Sequence, residues 1–290
     1  MNIEVIIYAA LILGIIAVVA AVILFFVSKA FKVIEDPRVD DVAEALPGVN
    51  CGGCGFAGCR SLAEAIVNAG TLEGFKCPAG GSNVNESIAA ILGLEVVTSE
   101  PLIAVVRCNG SCQNAPAKNI YDGAPSCAFA SSLFAGESAC PSGCLGYADC
   151  VRACLFDAIY IDPETKLPVV SDERCVGCGA CEKACPRQLI EIRHKGKKDR
   201  RIFVACQNTE KGAVAKKNCA VACIGCGKCA KVCAFEAITI ENNLAYINFT
   251  KCKLCRKCVN ECPTQAIHEC NFPVKKENVA VTVEQEIVNN

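Results

Sequence analysis

The cysteines are the residues whose type and spacing predict chemistry. The chain has 26 of them in 290 residues, and twenty fall into five sets of four. Two runs near the C-terminus are the clearest, and they read Cys223-x2-Cys226-x2-Cys229-x3-Cys233 and Cys252-x2-Cys255-x2-Cys258-x3-Cys262-Pro263. Thiolates at this spacing hold [4Fe–4S] clusters, and the fourth cysteine of each run binds the cluster of the other run. The block therefore predicts single-electron transfer.

An earlier block looks like an internal repeat of this one, offset by about 79 residues. Tyr147 stands where the later block has Cys226, so a ligand is missing. We expect Cys140, four residues before Cys144, to replace it, although its counterpart Cys219 has no ligand role in the later block. The predicted sets of the two blocks are Cys140, Cys144, Cys150 and Cys185; Cys154, Cys175, Cys178 and Cys181; Cys223, Cys226, Cys229 and Cys262; and Cys233, Cys252, Cys255 and Cys258.

A fifth set lies nearer the N-terminus, as Cys51-x2-Cys54-x4-Cys59 followed by Cys77. The apolar spacing between Cys59 and Cys77 is helical, which places the first three cysteines on a loop that opens a helix. The run Gly53 to Gly58 also fits G-x-G-x-x-G, but no strand precedes it and no acidic residue closes a βαβ unit. This glycine run therefore predicts no nucleotide-binding site. Because the clusters would carry out the redox chemistry, we also expect no flavin site and no residue that acts as a general acid or base.

Six cysteines remain outside these sets, and they are Cys108, Cys112, Cys127, Cys206, Cys219 and Cys270. A sixth cluster could draw on Cys108, Cys112 and Cys127 with one more ligand. The alternative is that they are free thiols packed as small apolar side chains. Structural zinc competes with iron–sulfur clusters for any single C-x2-C pair, whereas the complete runs favour clusters; a zinc-bound scaffold with no redox role is the remaining alternative.

The N-terminal segment predicts a membrane anchor. Val5 to Val27 carries no charge and spans about 34 Å as a helix, which is enough to cross a bilayer. Glu4 precedes it and Lys29 and Lys32 follow it, so the positive-inside bias places the later residues in the cytoplasm. Thiols stay reduced there, which favours metal ligation over disulfides. The net charge of −1 offers no general basis for nucleic-acid binding.

The run C-G-x-C-G-x-x-G-C with a downstream C-P-x-G-G, here Cys51 to Cys59 and Cys77 to Gly81, resembles the B subunit of the Rnf complex. That complex is a membrane ferredoxin:NAD oxidoreductase coupled to ion transport. The resemblance implies a translocase subunit that takes electrons from soluble ferredoxin and passes them through at least five [4Fe–4S] clusters to integral and flavin-containing subunits. NAD reduction would occur on another subunit. An anchored polyferredoxin serving another membrane enzyme, such as a hydrogenase, is the alternative.

The expected fold class is α+β, with one transmembrane helix, a small four-cysteine domain and two tandem bacterial-ferredoxin-like domains. The expected divisions are an anchor in 1–34, a four-cysteine domain in 35–97, a connecting segment in 98–135, ferredoxin-like domains in 136–200 and 201–271, and a tail in 272–290.

A basic run from Arg193 to Arg201, with Lys251, Lys253, Arg256 and Lys257, is either a solvated linker or a docking patch for an acidic ferredoxin.

Overall fold

The computed structural model describes residues 3–30, 36–96, 100–133 and 136–273, so most of the expected tail lies outside the described residues. The first element is a long helix, α1, which spans Ile3–Ala30. Its segment Leu11–Lys29 has a mean hydropathy of 3.1 and none of it is buried inside the protein. A helix of 28 residues is about 42 Å long, which exceeds the thickness of the hydrocarbon layer. The predicted helix is confirmed, and its apolar surface fits lipid.

Three helices form the four-cysteine domain, and they are α2 (Arg38–Ala45), α3 (Cys59–Ala69) and α4 (Gly81–Leu92). Leu62 and Ile66 lie one turn apart on α3 and are buried with Ile88 of α4 in one core. Gly70 ends α3 in the left-handed conformation that glycine adopts without a Cβ clash. Within residues 36–96 the structure has no strand, so the G-x-G-x-x-G run is not part of a βαβ unit.

The first ferredoxin-like module contains four strands and three short helices. They are β1 (Leu102–Val106), α5 (Cys127–Leu133), α6 (Asp149–Arg152), β2 (Ile159–Ile161), β3 (Pro168–Val170), α7 (Ala180–Ala184) and β4 (Ile190–His194). Strands β2 and β3 form the predicted hairpin, and β1 pairs antiparallel with β4. The sequence divisions placed β1 in the connecting segment, whereas the structure makes it an edge of this module.

The second module repeats this arrangement. Its elements are β5 (Arg201–Val204), α8 (Gly212–Asn218), α9 (Lys228–Lys231), β6 (Ile238–Glu241), β7 (Leu244–Ile247), α10 (Lys257–Glu261) and β8 (Ile267–Cys270), after a 3-10 turn at Lys197–Asp199. Strand β5 pairs antiparallel with β8, and β6 with β7. In each module, a strand that precedes the cysteine runs pairs with the strand that follows them.

Strand β1 also joins the two modules, because its side chains alternate between two cores. Ala104 packs with Cys150 and Ile159 of the first module, while Val105 packs with Phe203 and with Ala205, which follows β5. This two-sided burial explains why β1 lacks the alternation of apolar and polar residues that marks a half-exposed strand.

The interface between the modules buries part of the basic run. Arg193 is only 2% exposed, and its guanidinium lies 5.9, 5.3 and 5.5 Å from the ring centroids of Phe203, Tyr246 and Phe249. Its Nη2 also donates to Glu191 at 3.0 Å. Arg201 is buried as well, with Nη2 2.7 Å from Asp172. These two arginines therefore serve packing, whereas Lys197 and Lys198 of the same run are exposed.

Candidate metal centres

Each half of the second module surrounds a cavity lined by four cysteines. One cavity lies beside β6 and β7 and contains Cys223, Cys226, Cys229 and Cys262. The other lies beside α10 and contains Cys233, Cys252, Cys255 and Cys258. The last cysteine of each run therefore crosses to the cavity of the other run, which is the arrangement that the spacing predicts.

In the first module, one of the two cavities contains the grouping that the repeat predicts. Its cysteines are Cys154, Cys175, Cys178 and Cys181. Strand β1 forms part of its wall, and the backbone N–H of Ala104 donates to the Cys175 sulfur at 3.5 Å. The segment that the sequence divisions treated as a connection thus contributes to the site.

The other cavity of this module differs from the sequence expectation at one ligand. It is lined by Cys127, Cys144, Cys150 and Cys185, and Cys140 is absent from its lining among the described residues. The start of α5 brings Cys127 there, because Asp149 on α6 accepts hydrogen bonds of 3.0 Å from both Ser126 Oγ and the Ala128 amide. Cys140 is buried in another cluster, with Cys206 and Cys219. The lining of this cavity therefore differs from the expected set, because it contains Cys127 where Cys140 was expected.

The four-cysteine domain supplies the fifth cavity, lined by Cys51, Cys54, Cys59 and Cys77. The Asn50 side chain organises the loop that carries the first three, because its Oδ1 accepts a hydrogen bond of 2.8 Å from the Cys59 amide at the start of α3. The loop therefore opens a helix, as the spacing predicts, and the four cysteines come from this loop, the first turn of α3 and the segment before α4.

The donor groups fit [4Fe–4S] clusters. Each of the five cavities is lined by four cysteines, which is the number of thiolates that such a cluster binds. Hydrogen bonds to cluster sulfurs tune such centres. Backbone amides donate here to the sulfurs of Cys154, Cys175, Cys185, Cys223 and Cys262 at 3.3 to 3.5 Å.

The cysteines surround these cavities rather than meeting at a point. Among the described residues, no three His, Cys, Asp or Glu side chains form a group that would hold a single metal ion. A cubane cluster occupies the space between its four ligands, so its cysteines stand farther apart than the ligands of one ion.

Burial and mutual repulsion disfavour the thiolate form of Cys181 and Cys258. Burial raises the pKa of Cys181 to about 12, and the charges of Cys175 and Cys178 contribute to that rise. Burial likewise raises the pKa of Cys258 to about 12, with Cys252 adding to the effect. Iron reverses this preference, because a coordinating cation stabilises the deprotonated sulfur.

Two of the cavities belong to different domains but lie next to each other. A Cβ on Gly53 would come within 2.9 Å of both the Cβ and the carbonyl oxygen of Cys178. Burial raises the pKa of Cys178, and the negative charge of Cys51 contributes to that rise. The four-cysteine domain therefore packs its ligand loop directly against the first module, at a position where only glycine leaves enough room.

Comparison with protein families supports iron–sulfur binding along the chain. The Fe-S cluster family matches residues 46–78. A family described as a 4Fe-4S dicluster domain matches residues 139–189 and 222–266, and a second family with the same description matches residues 174–236. These matches, with the α1 helix and the mixed helices and strands, confirm the predicted fold class.

Three curated relatives cover most of the chain. The chain is 43% identical over 256 residues, 88% of its length and 75% of the relative, to the B subunit of the Na⁺-translocating ferredoxin:NAD⁺ oxidoreductase complex of Acetobacterium woodii. It is 41% identical to the B subunit of the ion-translocating oxidoreductase complex of Methanosarcina acetivorans, over 85% and 91% of the two chains. It is 38% identical to the B subunit of the proton-translocating ferredoxin:NAD⁺ oxidoreductase complex of Clostridium ljungdahlii, over 88% and 89%.

Proposed function

The chain belongs to the B subunits of Rnf-type ion-translocating oxidoreductase complexes, and we propose that it carries electrons from reduced soluble ferredoxin to the membrane subunits of such a complex. As a member of this family, it is a [4Fe–4S] electron-transfer subunit of a redox-driven translocase, and it associates with the membrane. The clusters supply one-electron transfer when bound, and the protein positions and tunes them. Ion translocation and NAD reduction belong to partner subunits.

We assign one [4Fe–4S] cluster to each of the five cavities, with the cysteines that line the cavity as its ligands. Four sets are those of the cysteine runs and the N-terminal domain, and the fifth takes Cys127 in place of Cys140. The sets are Cys51, Cys54, Cys59 and Cys77; Cys127, Cys144, Cys150 and Cys185; Cys154, Cys175, Cys178 and Cys181; Cys223, Cys226, Cys229 and Cys262; and Cys233, Cys252, Cys255 and Cys258.

The contact between Gly53 and Cys178 supports the proposed direction from the ferredoxin-like modules to the membrane. It puts the four-cysteine domain, which follows the anchor in sequence, beside the Cys178 set of the first module. Within that module the Cys178 set and the Cys144 set are neighbours. The charge of Cys150, which belongs to the Cys144 set, contributes to the raised pKa of Cys181 in the Cys178 set. Cys258 and Cys229 adjoin in the same way in the second module. The second module is then the far end.

The second module has the features of an entry point for ferredoxin. Cys226 and Cys255 are exposed, which brings two of its sets close to the surface. Lys253 and Lys257 line the cavity of Cys255 and are themselves exposed, whereas Arg256 is paired with Glu269. We assign the docking of an acidic ferredoxin to this lysine surface, defined by Lys251, Lys253 and Lys257.

Reversing charge on the lysine surface tests the partner. Lys253→Glu with Lys257→Glu should raise the KM for reduced ferredoxin on the order of tenfold at low salt and flatten its dependence on ionic strength, because steering attraction becomes repulsion. The matched control is Lys216→Glu with Lys217→Glu, which makes the same charge change on exposed positions of α8. Equal KM values for the two double variants would show that ferredoxin docks elsewhere.

Removing a ligand next to the membrane tests the order of the sets. In the assembled complex, Cys51→Ala should leave ferredoxin-driven reduction of the module clusters intact while it stops NAD reduction. Electron paramagnetic resonance of the ferredoxin-reduced complex measures the first effect, and NADH formation measures the second. Full turnover in Cys51→Ala would contradict the proposed order. Cys112→Ala, at an exposed cysteine outside the five sets, is the control and should keep both activities.

We further propose that the cysteine-rich part lies on the cytoplasmic side. Glu4 precedes the uncharged segment from Val5 to Val27, and Lys29 and Arg38 follow it, which matches the positive-inside distribution. Protease added to inside-out vesicles should therefore digest residues beyond α1, and right-side-out vesicles should protect them.

Since the relatives are named for sodium in one case and for protons in another, similarity to these relatives does not select the ion.

A further inference from the structure

Four cysteines outside the five sets meet where the two ferredoxin-like modules join. We propose that Cys108, Cys140, Cys206 and Cys219 bind a sixth iron–sulfur cluster, of the [4Fe–4S] type, that is shared between the modules. Cys108 and Cys140 come from the first module, and Cys206 and Cys219 come from the second. This set differs from the sixth site that the sequence suggested, because Cys127 belongs to another cavity and Cys112 is exposed.

Contacts and burial bring the four sulfurs together. A Cβ on Gly110 would lie 3.6 Å from the sulfurs of both Cys108 and Cys219, so these two sulfurs are separated by no more than twice that distance. Cys140, Cys206 and Cys219 are 6%, 8% and 5% exposed and belong to one core. Four sulfurs from two modules thus share a single buried region.

The electrostatics agree with this grouping. Burial raises the pKa of Cys108 to about 11, and the charges of Cys140 and Cys206 contribute to that rise. Burial also raises the pKa of Cys219, with Cys140 and Cys206 again adding to the effect. The charge of Cys140 also contributes to the raised pKa of Cys206, so that, with the Gly110 contact, each of the four cysteines is linked to the other three. The iron ions of a cluster would relieve the repulsion among four thiolates.

The repeat supplies the ligands symmetrically. Cys108 is the second residue after β1 ends, and Cys206 is the second residue after β5 ends. Cys140 precedes Cys144 by four positions, as Cys219 precedes Cys223. Each module therefore contributes one cysteine after its first strand and one before its first cysteine run. The repeat accounts for the recurrence, and it is the convergence of the two pairs in one buried region that favours a common ligand role.

Hydrogen-bond donors reach these sulfurs as they reach those of the five cavities. The Cys144 amide donates to Cys108 at 3.4 Å, and the Asn208 amide donates to Cys206 at 3.5 Å. The Asn208 side chain, which is fully buried, directs its Nδ2 toward the Cys140 sulfur at 3.6 Å. A buried amide aimed at sulfur suits a charged cluster, whose potential depends on such bonds.

This set contacts both the Cys144 set of the first module and the Cys223 set of the second module. On one side, Cys144 of the first module donates its amide to Cys108. On the other side, Cys223 packs in the same core as Cys206 and Cys219. One electron leaving the Cys223 set could reach the Cys144 set through this site, with one centre oxidised, the next reduced and no bond broken. This role depends on the proposed function, whereas binding of the cluster does not.

Metal content of the anaerobically purified full-length protein tests the site. Six clusters predict about 24 iron atoms and about 24 sulfides per chain, at four of each per cluster. Each single variant, Cys108→Ala or Cys219→Ala, should lose about four of each, and the double variant should lose the same amount and no more. Because the two cysteines come from different modules, this lack of additivity is the signature of one shared cluster. Native mass spectrometry gives the bound mass per chain.

The control is Cys112→Ala, which should match the unsubstituted protein because Cys112 is exposed and lies outside all six sets. Unchanged iron and sulfide in the double variant would overturn the proposal, as would the loss of one zinc ion per chain in place of iron and sulfide. Additive losses of two clusters would also overturn it, since they would mean two separate sites. None of these results would alter the effect expected of Cys51→Ala, which tests the proposed function separately.

Discussion

Cysteine spacing identifies a ligand only when the ligands are close in sequence. Cys144, Cys150 and Cys185 follow from the repeat, but their partner Cys127 precedes them by a long segment without a recognisable run. Cys140 was the nearest cysteine and therefore the natural expectation. One signal was available: the counterpart of Cys140 is Cys219, which had no ligand role in its own block. A shared role elsewhere explains both residues.

Substitution of Cys127 should damage the first module in a defined way. Cys127→Ala removes one thiolate from the Cys144 cavity, so we expect the loss of up to about four iron atoms and a changed signal from that cluster alone. Iron analysis and electron paramagnetic resonance of the reduced protein measure these effects. In Cys140→Ala, the Cys144 cluster should keep its signal. The opposite result for the two variants would restore Cys140 to that cavity.

Strand β1 shows how one short element can serve three purposes. Its pairing with β4 completes the first module, its residue Val105 packs against the second module, and its Ala104 amide donates to the Cys175 sulfur. Its five residues are all apolar, which predicts a buried strand but not its partner. The pairing spans most of a module in sequence, and local patterns contain no information about it.

The loop that contains Gly53 is expected to be sensitive to a single methyl group. Gly53→Ala would place a Cβ 2.9 Å from Cys178, so the four-cysteine domain must shift away from the first module. We expect the contact to weaken by about 1–3 kcal/mol, as is usual for an overpacked site. Faster hydrogen exchange at residues 177–181 measures the weaker contact.

The matched control for this loop is Ala57→Val, which adds more volume at an exposed position of the same segment. Exchange at residues 177–181 should be unchanged in that variant. If Gly53→Ala also left the exchange unchanged, Gly53 would not form the contact between the two domains.

The described residues form a series that begins with an apolar helix and ends with an exposed, lysine-lined cysteine set. The four-cysteine domain follows the anchor in sequence and contacts the first module, and the first module shares cores and buried cysteines with the second. This order suits a subunit that links a soluble donor to acceptors in the membrane, because each cysteine set has neighbours and the two ends differ.

The anchor should be separable from cluster binding. When the chain is produced without partner subunits, deletion of residues 1–30 should move it from the membrane fraction to the soluble fraction, since α1 is the only described helix apolar enough to cross a bilayer. Its iron content per chain should stay the same, because no cysteine lies in the deleted segment. Retention of the truncated protein by alkaline-washed membranes would contradict this role.

The cysteine runs and the apolar N-terminal segment, taken from the sequence alone, determined the chemistry, the anchor and the two ferredoxin-like repeats. Thiolate geometry and helix length are local properties, so spacing and hydropathy express them directly. Only the tertiary structure decided that Cys127 joins the Cys144 cavity, that β1 belongs to both modules and that four leftover cysteines converge. Those relationships depend on chain segments far apart in sequence, which packing of the two modules brings into contact.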